Sequence, residues 1–203
     1  MLKKYTILSF LLIVLVLPFT VFGVVKWIEN RFQKLPVYEY IGPTLNFNLK
    51  NQYGKSIDQK QWENKIIIAD FFFTHCPVVC PKMKKNLLRV EAAFRNDEDI
   101  EINSFSVDPE RDSVAQLKKF ADKFGISGNW NLLTGDKIEI YRLARNSFRI
   151  VATDGDGGDT DFIHSEKFVL LDKQKRIRGY YTGTDEEEVN KLIKDIKKLK
   201  HEN

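Results

Sequence analysis

Cysteine and histidine are scarce in this chain of 203 residues. It contains only two cysteines, Cys76 and Cys80, and three histidines. A disulfide between cysteines four positions apart would close a very small loop and would constrain the unfolded chain little. A purely structural disulfide is therefore a poor explanation of the pair, and both thiols are candidates for chemistry.

A large excess of charge of one sign is also absent, because the formal net charge is only +4. The densest basic cluster lies near the C-terminus, where lysines alternate with apolar residues at helical intervals. This pattern predicts an amphipathic helix that covers a core, with lysine stems along its edge. We therefore expect no nucleic-acid partner. The lysines are Lys191, Lys194, Lys197, Lys198 and Lys200.

Charged side chains are missing from Tyr5 to Val25. This run is long enough to cross a bilayer, which takes roughly 20 apolar residues. A cleaved signal peptide is the alternative, but its apolar stretch is usually about 7 to 15 residues long and ends in an A-x-A site, which is lacking here. The sequence predicts an N-terminal transmembrane helix and linker over residues 1–35, followed by one globular domain over residues 36–203.

The charges beside the predicted span do not fix its orientation, because Lys3 and Lys4 before it are matched by Lys26, Arg31 and Lys34 after it. A short N-terminal stub ahead of a large domain favours export of that domain. No leader rich in arginine and serine precedes the span, which favours a bacterial over a mitochondrial membrane. We expect a bacterial inner-membrane protein whose soluble domain faces the periplasm.

Strand and helix patterns alternate through the rest of the chain. Residues 65–73 (KIIIADFFF) form a nearly continuous β-branched and aromatic run, which is typical of a central strand buried on both faces. A helix is predicted from the cap residue Ser113 to Phe124, with Gly125 ending it. The order of elements predicts an α/β fold with a mixed sheet flanked by helices. The other predicted strands are 45–49, 100–107, 130–133, 148–152, 167–172 and 176–181, and the other helices begin after Pro81 and cover 137–145 and 186–200.

The two cysteines lie at a predicted junction between strand and helix. The segment from Thr74 to Pro81 (THCPVVCP) follows the buried strand, and a helical pattern begins directly after it. The positive end of a helix dipole stabilises a thiolate over a thiol. Thiolates attack disulfides and also bind soft metals, so redox exchange and metal capture both remain open.

His164 favours metal capture over redox exchange. Thioredoxin-type oxidoreductases normally have two residues between their cysteines and a cis-proline facing them, whereas this chain has three intervening residues and no proline after Pro109. His164 stands in that later region instead, just ahead of the strand predicted at 167–172. Two thiolates and one imidazole suit copper or zinc, and soft thiolates favour Cu(I). Three ligands are too few for a closed structural zinc site.

Three motifs together resemble the Sco/SenC family of copper chaperones for cytochrome c oxidase assembly. They are Phe73 to Pro81 (FTHCPVVCP), Ser106 to Asp112 (SVDPERD), and His164-Ser165 before a strand that ends at Asp172. The similarity covers roughly residues 43–198 in order and spacing. Val78 is a departure, since many relatives have an acidic residue inside the cysteine motif.

The resemblance implies a thioredoxin-like fold and copper bound by Cys76, Cys80 and His164. It also implies assistance in assembling the binuclear copper site of cytochrome c oxidase, with subunit II of that oxidase or another copper acceptor as partner. One alternative is a thiol-disulfide oxidoreductase that reduces the cysteines of the apo-oxidase subunit. A weaker one is a peroxidase-like or redox-sensing module. We do not expect enzymatic turnover to be the main role.

Other metal-binding candidates are less convincing. His75 adjoins Cys76, but neighbours on an extended chain point in opposite directions. Met83 is expected to pack in a helix, and His201 lies at the chain end. The acidic loop 154–161 fails the EF-hand spacing, because glycine occupies its fifth position and aspartate its sixth; we expect this loop to let His164 move.

The acidic and basic residues of SVDPERD have a different expected role. Asp108, Arg111 and Asp112 could form a solvated turn, meet a partner or fix the loop beside the cysteines. We expect structural support of that loop.

Overall fold

The computed structural model describes residues 14–26, 34–75, 79–150 and 165–202, with the backbone alone at residues 79 and 80. The chain divides into two compact units between Leu35 and Pro36. In the first unit, residues 14–26 form helix α1. Within the described ranges, no helix combines the length and the hydropathy required to span a bilayer. The predicted span begins at Tyr5, so residues 5–13 of it lie outside the described part of the chain.

The second unit is built around strand β4 (Ile66–Phe72), in which all seven residues are buried. Strand β5 (Ile100–Ser106) runs parallel to it in a register that pairs Ile66 with Ile100. All seven residues of β5 are buried as well, and strands buried on both faces occupy the middle of a sheet that is covered on each side. The predicted central strand at 65–73 is confirmed, and the strand predicted at 100–107 also lies in the middle of the sheet.

The sheet has eight strands among the described residues, in the order β1-β8-β7-β4-β5-β6-β2-β3. Pairings β4-β5 and β5-β6 are parallel, whereas β7 pairs antiparallel with β4 and β8 pairs antiparallel with β7. The sheet is therefore mixed, as predicted. The other strands are β1 (Glu39–Tyr40), β2 (Asn48–Asn51), β3 (Ser56–Asp58), β6 (Trp130–Thr134), β7 (Lys167–Leu171) and β8 (Arg176–Thr182), and the other helices are α2 (Val79–Phe94), α3 (Val114–Phe124), α4 (Lys137–Arg142) and α5 (Glu186–His201).

Helices cover both faces of this sheet. Ile67 and Phe71 of β4 share a hydrophobic cluster with Ile140 of α4. Side chains alternate along a strand, so Phe72 points to the opposite face, where its ring lies 5.8 Å from the ring of Phe120 in α3. Helices α2 and α5 contact each other, and α5 also contacts β4 and β8. Strands β4 and β5 are thus held in a core that is covered on both faces of the sheet.

Helix α3 begins and ends at the predicted residues. The Ser113 hydroxyl accepts a hydrogen bond from the backbone N–H of Gln116 at 3.3 Å. Gly125 adopts a left-handed conformation with φ of 69° at the other end. A serine cap satisfies a free N–H group of the first turn, and glycine takes the left-handed position without a Cβ penalty.

Two strand predictions need correction. Residues 148–150 form no strand; Leu143–Ser147 is a π-helical turn instead, and the N–H groups of Phe148 and Ile150 bond the carbonyls of Leu143 and Ala144 at 2.8 and 3.1 Å. Residues 151 and 152 lie outside the described chain. The strand predicted at 45–49 begins later, at Asn48, because the N–H of Leu45 closes a turn onto the carbonyl of Ile41.

Candidate metal centre

The predicted ligands belong to two stretches of chain that meet the described structure at their ends. Cys76 follows His75, the last described residue after β4, and His164 immediately precedes the described segment that leads into β7. Both residues lie outside the described part of the chain. Cys80 is the second residue of α2, where the backbone alone is described. The described residues on either side therefore show where the chain enters and leaves each segment that carries a predicted ligand.

A buried carboxylate anchors the chain directly before Cys76. Asp112 is fully buried and accepts hydrogen bonds from Thr74 through both the backbone N–H (3.0 Å) and Oγ1 (2.5 Å). The hydroxyl of Ser106, at the end of β5, donates to the same carboxylate at 2.6 Å. Hydrogen bonds to a charged acceptor are the stronger kind, about 1.5 to 3 kcal/mol each. Asp112 thus joins the ends of the two central strands at the entrance to the cysteine motif, the supporting position expected for it.

The rest of the SVDPERD segment forms a tight turn that presents Asp112. The N–H groups of Arg111 and Asp112 donate to the carbonyl of Asp108 at 3.1 and 2.9 Å. The Arg111 guanidinium lies 3.7 Å from the Asp108 carboxylate, and 74% of the Arg111 side chain is exposed. Such an exposed ion pair contributes little to stability. Asp112 is therefore the member of this segment that supports the motif.

His75 is oriented by the same cluster. Its Nδ1 lies 3.0 Å from Thr74 Oγ1 and 3.9 Å from Asp112 Oδ1, while 57% of its side chain is exposed. One imidazole nitrogen is thus occupied by neighbours within the protein. Of the less convincing metal-binding candidates, Met83 is buried at 2% exposure and packs in the core, whereas His201 is exposed at the last residue of α5.

Asp70 is a buried acid that is missing from the predicted site residues. It lies on β4, six positions before Cys76, with 2% of its surface exposed, and the hydroxyl of Ser104 donates a hydrogen bond to it. Burial raises the pKa of Asp70 to about 7, and the Ser104 hydrogen bond only partly opposes this rise. One carboxylate inside the run KIIIADFFF was the sequence signal for it.

The family follows from a match over most of the chain. The SCO1/SenC family model matches residues 42–201, which include all three motifs. The chain belongs to the SCO1/SenC family. It is 34% identical over 154 residues to the SCO1 protein homolog of Bacillus subtilis, a match that covers 74% of this chain and 79% of that protein. It is 31% identical over 144 residues to SCO1 homolog 1, mitochondrial, of Arabidopsis thaliana, covering 66% of this chain and 41% of that protein.

Solved structures of Sco proteins share the fold. BsSco, described as a member of the Sco family of cytochrome c oxidase assembly proteins with a disulfide switch, superposes with a TM-score of 0.69 at 31% identity, covering 84% of this chain and 98% of that one. Bradyrhizobium japonicum ScoI with copper bound gives a TM-score of 0.59 at 29% identity, covering 73% and 96%. These matches confirm the predicted thioredoxin-like fold, and homologous Sco structures contain copper.

Proposed function

We propose that this protein is a copper chaperone that binds copper through Cys76, Cys80 and His164 and assists assembly of the binuclear copper site of cytochrome c oxidase. One observation carries the proposal. The motif FTHCPVVCP begins directly after β4 and ends in the first turn of α2, in a chain whose family includes copper-bound structures. Copper is here the cargo that is passed on, with subunit II of the oxidase or another copper acceptor as the recipient.

The local frame of the cysteines suits soft-metal capture. Cys80 belongs to the first turn of α2, a helix of 16 residues, where free N–H groups and the helix dipole favour negative charge. A thiolate is the form that binds metal, and thiolate ligands select Cu(I) over harder cations. The Asp112 anchor holds Thr74, which lies two residues before Cys76 in the chain.

Strand register supports His164 as the third ligand. Strands β4 and β7 are antiparallel, with Ala69 opposite Val169. The C-terminal end of β4 and the N-terminal end of β7 therefore lie at the same end of the strands. His164 is three residues before Lys167, where β7 begins. The segment that carries His164 therefore leads into the sheet at the same end at which the segment that carries Cys76 leaves it.

Membrane attachment is part of the proposal. The segment from Tyr5 to Val25 has no charged residue, and apolar side chains of α1 are exposed: Leu15, Phe19 and Phe22 are 64%, 73% and 63% accessible. Exposed apolar side chains along one helix fit a lipid environment. A Bacillus anthracis structure with 30% identity and a TM-score of 0.66 is described as a SCO1/SenC family lipoprotein. We place the protein in a bacterial inner membrane with its domain facing the periplasm.

The test of delivery is a transfer experiment with the full chain in nonionic detergent. The reduced protein is loaded with Cu(I) and mixed with the reduced, copper-free copper domain of oxidase subunit II, and copper is measured on each protein after separation. Delivery predicts copper on the acceptor. Retention of all copper by the chaperone, at an acceptor concentration that should compete, would contradict delivery.

The thiol-disulfide reductase alternative draws on the disulfide switch described for BsSco. In that reaction the two thiols of Cys76 and Cys80 would become a disulfide while one acceptor disulfide becomes two thiols, a two-electron exchange. It predicts that the copper-free protein reduces an oxidised acceptor and that His164→Ala leaves the rate unchanged. Copper transfer to an acceptor that is already reduced distinguishes the chaperone from the reductase, because no disulfide is then available.

A further inference from the structure

A groove of about 400 Å³ runs beside the entrance to the cysteine motif. One wall is the segment Phe73 to His75, which leads from β4 to Cys76, and the others are the start of α2 and one side of α3. The remaining lining residues are Pro81, Lys84, Gln116, Lys119, Phe120, Lys123 and Phe124.

The groove gathers the partly exposed phenylalanines of the domain. Of the ten phenylalanines described between residues 36 and 202, seven are buried in the core. The other three, Phe73, Phe120 and Phe124, all line this groove. Phe73 packs against the core cluster that contains Phe71, whereas the rings of Phe120 and Phe124 are half-exposed side by side, with centroids 4.8 Å apart. Half-exposed aromatic pairs of this kind are typical of surfaces that bury them against another molecule.

The charged side chains among the described lining residues of the groove have one sign. Lys84, Lys119 and Lys123 line it, and none of its described lining residues is acidic. Lys84 Nζ lies 2.9 Å from the centroid of the Phe124 ring, and Lys123 Nζ lies 5.2 Å from the same centroid. Cations held over aromatic faces keep a positive potential beside an apolar surface. An anionic occupant with an apolar side chain matches both properties.

We propose that this groove docks an acidic segment, carrying an apolar side chain, of the protein that exchanges copper with the cysteine motif. The role of that partner rests on the proposed function, whereas the chemistry of the segment rests on the groove itself. Because Phe73 to His75 form one wall, a segment seated in the groove lies next to the chain that enters Cys76. Positive charge there also raises the rate of encounter with an acidic partner and makes it dependent on salt.

The test uses the reduced full chain in nonionic detergent and a fluorescent peptide in which glutamate alternates with leucine. A second peptide has glutamine in place of every glutamate. The groove variant is Lys119→Glu/Lys123→Glu. Its matched control is Lys194→Glu/Lys197→Glu, which makes the same change of charge at two exposed residues of α5. Binding is measured by fluorescence anisotropy, and thermal unfolding confirms that both variants are folded.

We expect the groove variant to bind the glutamate peptide at least about tenfold more weakly than the wild type, since it replaces two attractive charges by repulsive ones. The control should change the affinity less than about twofold, because rim charges distant from a site contribute little. Raising the salt from about 0.05 M to about 0.5 M should weaken wild-type binding, because the Debye length shortens.

Three results would overturn the docking site: no binding of the glutamate peptide by the wild type, equal binding of the glutamine peptide, or equal losses in the groove variant and the control. Copper content, measured on the same samples and on Cys80→Ala, keeps the two proposals separate. Full copper binding by Cys80→Ala would contradict the proposed function and leave the peptide result standing. Normal copper in a groove variant that binds the peptide unchanged would contradict only the docking site.

Discussion

Asp70 offers a test of how burial affects a carboxyl group in the core. Its pKa is governed by burial and by one hydrogen bond from Ser104. Ser104 donates a hydrogen bond to Asp70, and Trp130 Nε1 donates to Ser104 Oγ at 2.9 Å. Burial raises the pKa of Asp70 from 3.8 to about 7, against the lowering effect of the Ser104 hydrogen bond. The folded protein therefore holds a proton at this site that the unfolded chain releases in mild acid.

The perturbation is Asp70→Asn, which keeps an oxygen acceptor for Ser104 and cannot ionise. In the wild type, the stabilisation by the protonated carboxyl is fully present below the ordinary pKa and is lost as the pH rises toward about 7. Each pH unit in that window lowers the free energy of unfolding by about 1.4 kcal/mol. The variant lacks this loss, so its advantage should grow to at most about 4 kcal/mol near neutral pH and then stay constant.

The assay is urea unfolding of the full chain in detergent between mildly acidic and mildly alkaline pH, followed by tryptophan fluorescence, with Trp130 in the affected network. Asp122→Asn, at an exposed carboxylate of α3, is the control for loss of one surface charge. A stability difference between wild type and Asp70→Asn that does not vary with pH would refute the reasoning. So would an Asp70→Asn variant that is less stable than the wild type above neutral pH.

Three further substitutions test other parts of the structure. Asp112→Asn should lower the free energy of unfolding by about 1 to 3 kcal/mol, because one acceptor oxygen and the charge are lost from a buried cluster; Asp108→Asn should change it far less in the same urea titration, and equal effects would contradict the assigned roles. Arg178→Met removes the guanidinium 2.9 Å from buried Asp172 but leaves Arg176 2.7 Å from the same carboxylate, so we expect a loss of about 1 to 3 kcal/mol by thermal unfolding; a loss below about 0.5 kcal/mol would speak against that pairing. Gly125→Ala should cost about 1 kcal/mol, because φ is 69° and no atom lies within 4 Å of the added Cβ; an unchanged midpoint in urea would be inconsistent with backbone strain.

The elements that could be predicted from the sequence are those whose signal is local. The nearly continuous apolar run of β4 predicts a buried strand, and the structure has one there. Ser113 and Gly125 predict the two ends of α3, and both are capping residues in the structure. The segment after α4 is different. Phe148, Arg149 and Ile150 alternate like a strand, but the buried Phe148 ring packs 5.6 Å from those of Phe71 and Phe105. That tertiary packing holds the backbone against the preceding turn, and no local pattern records it.

The site divides in the same way. The two cysteines and His164 could be selected from their residue types and from the resemblance to a family, because soft ligands are rare in this chain. The anchoring role of Asp112 needs the ends of β4 and β5 side by side, which depends on the strand register. The basic aromatic groove needs α2 beside α3 and could not be predicted from either helix alone.

Copper binding by the reduced full chain is the measurement that tests the central claim most directly. Cu(I) is titrated in competition with a chelator of known affinity, for wild type and for His164→Ala, with His75→Ala as the matched control because that exposed histidine is expected not to bind metal. Replacing a residue that only orients a metal ligand typically lowers the metal affinity about 10- to 100-fold. Loss of the His164 ligand itself should therefore lower the copper affinity at least about 100-fold. We expect that loss in His164→Ala alone. Wild-type affinity in His164→Ala, or an equal loss in His75→Ala, would contradict the copper site proposed for this protein.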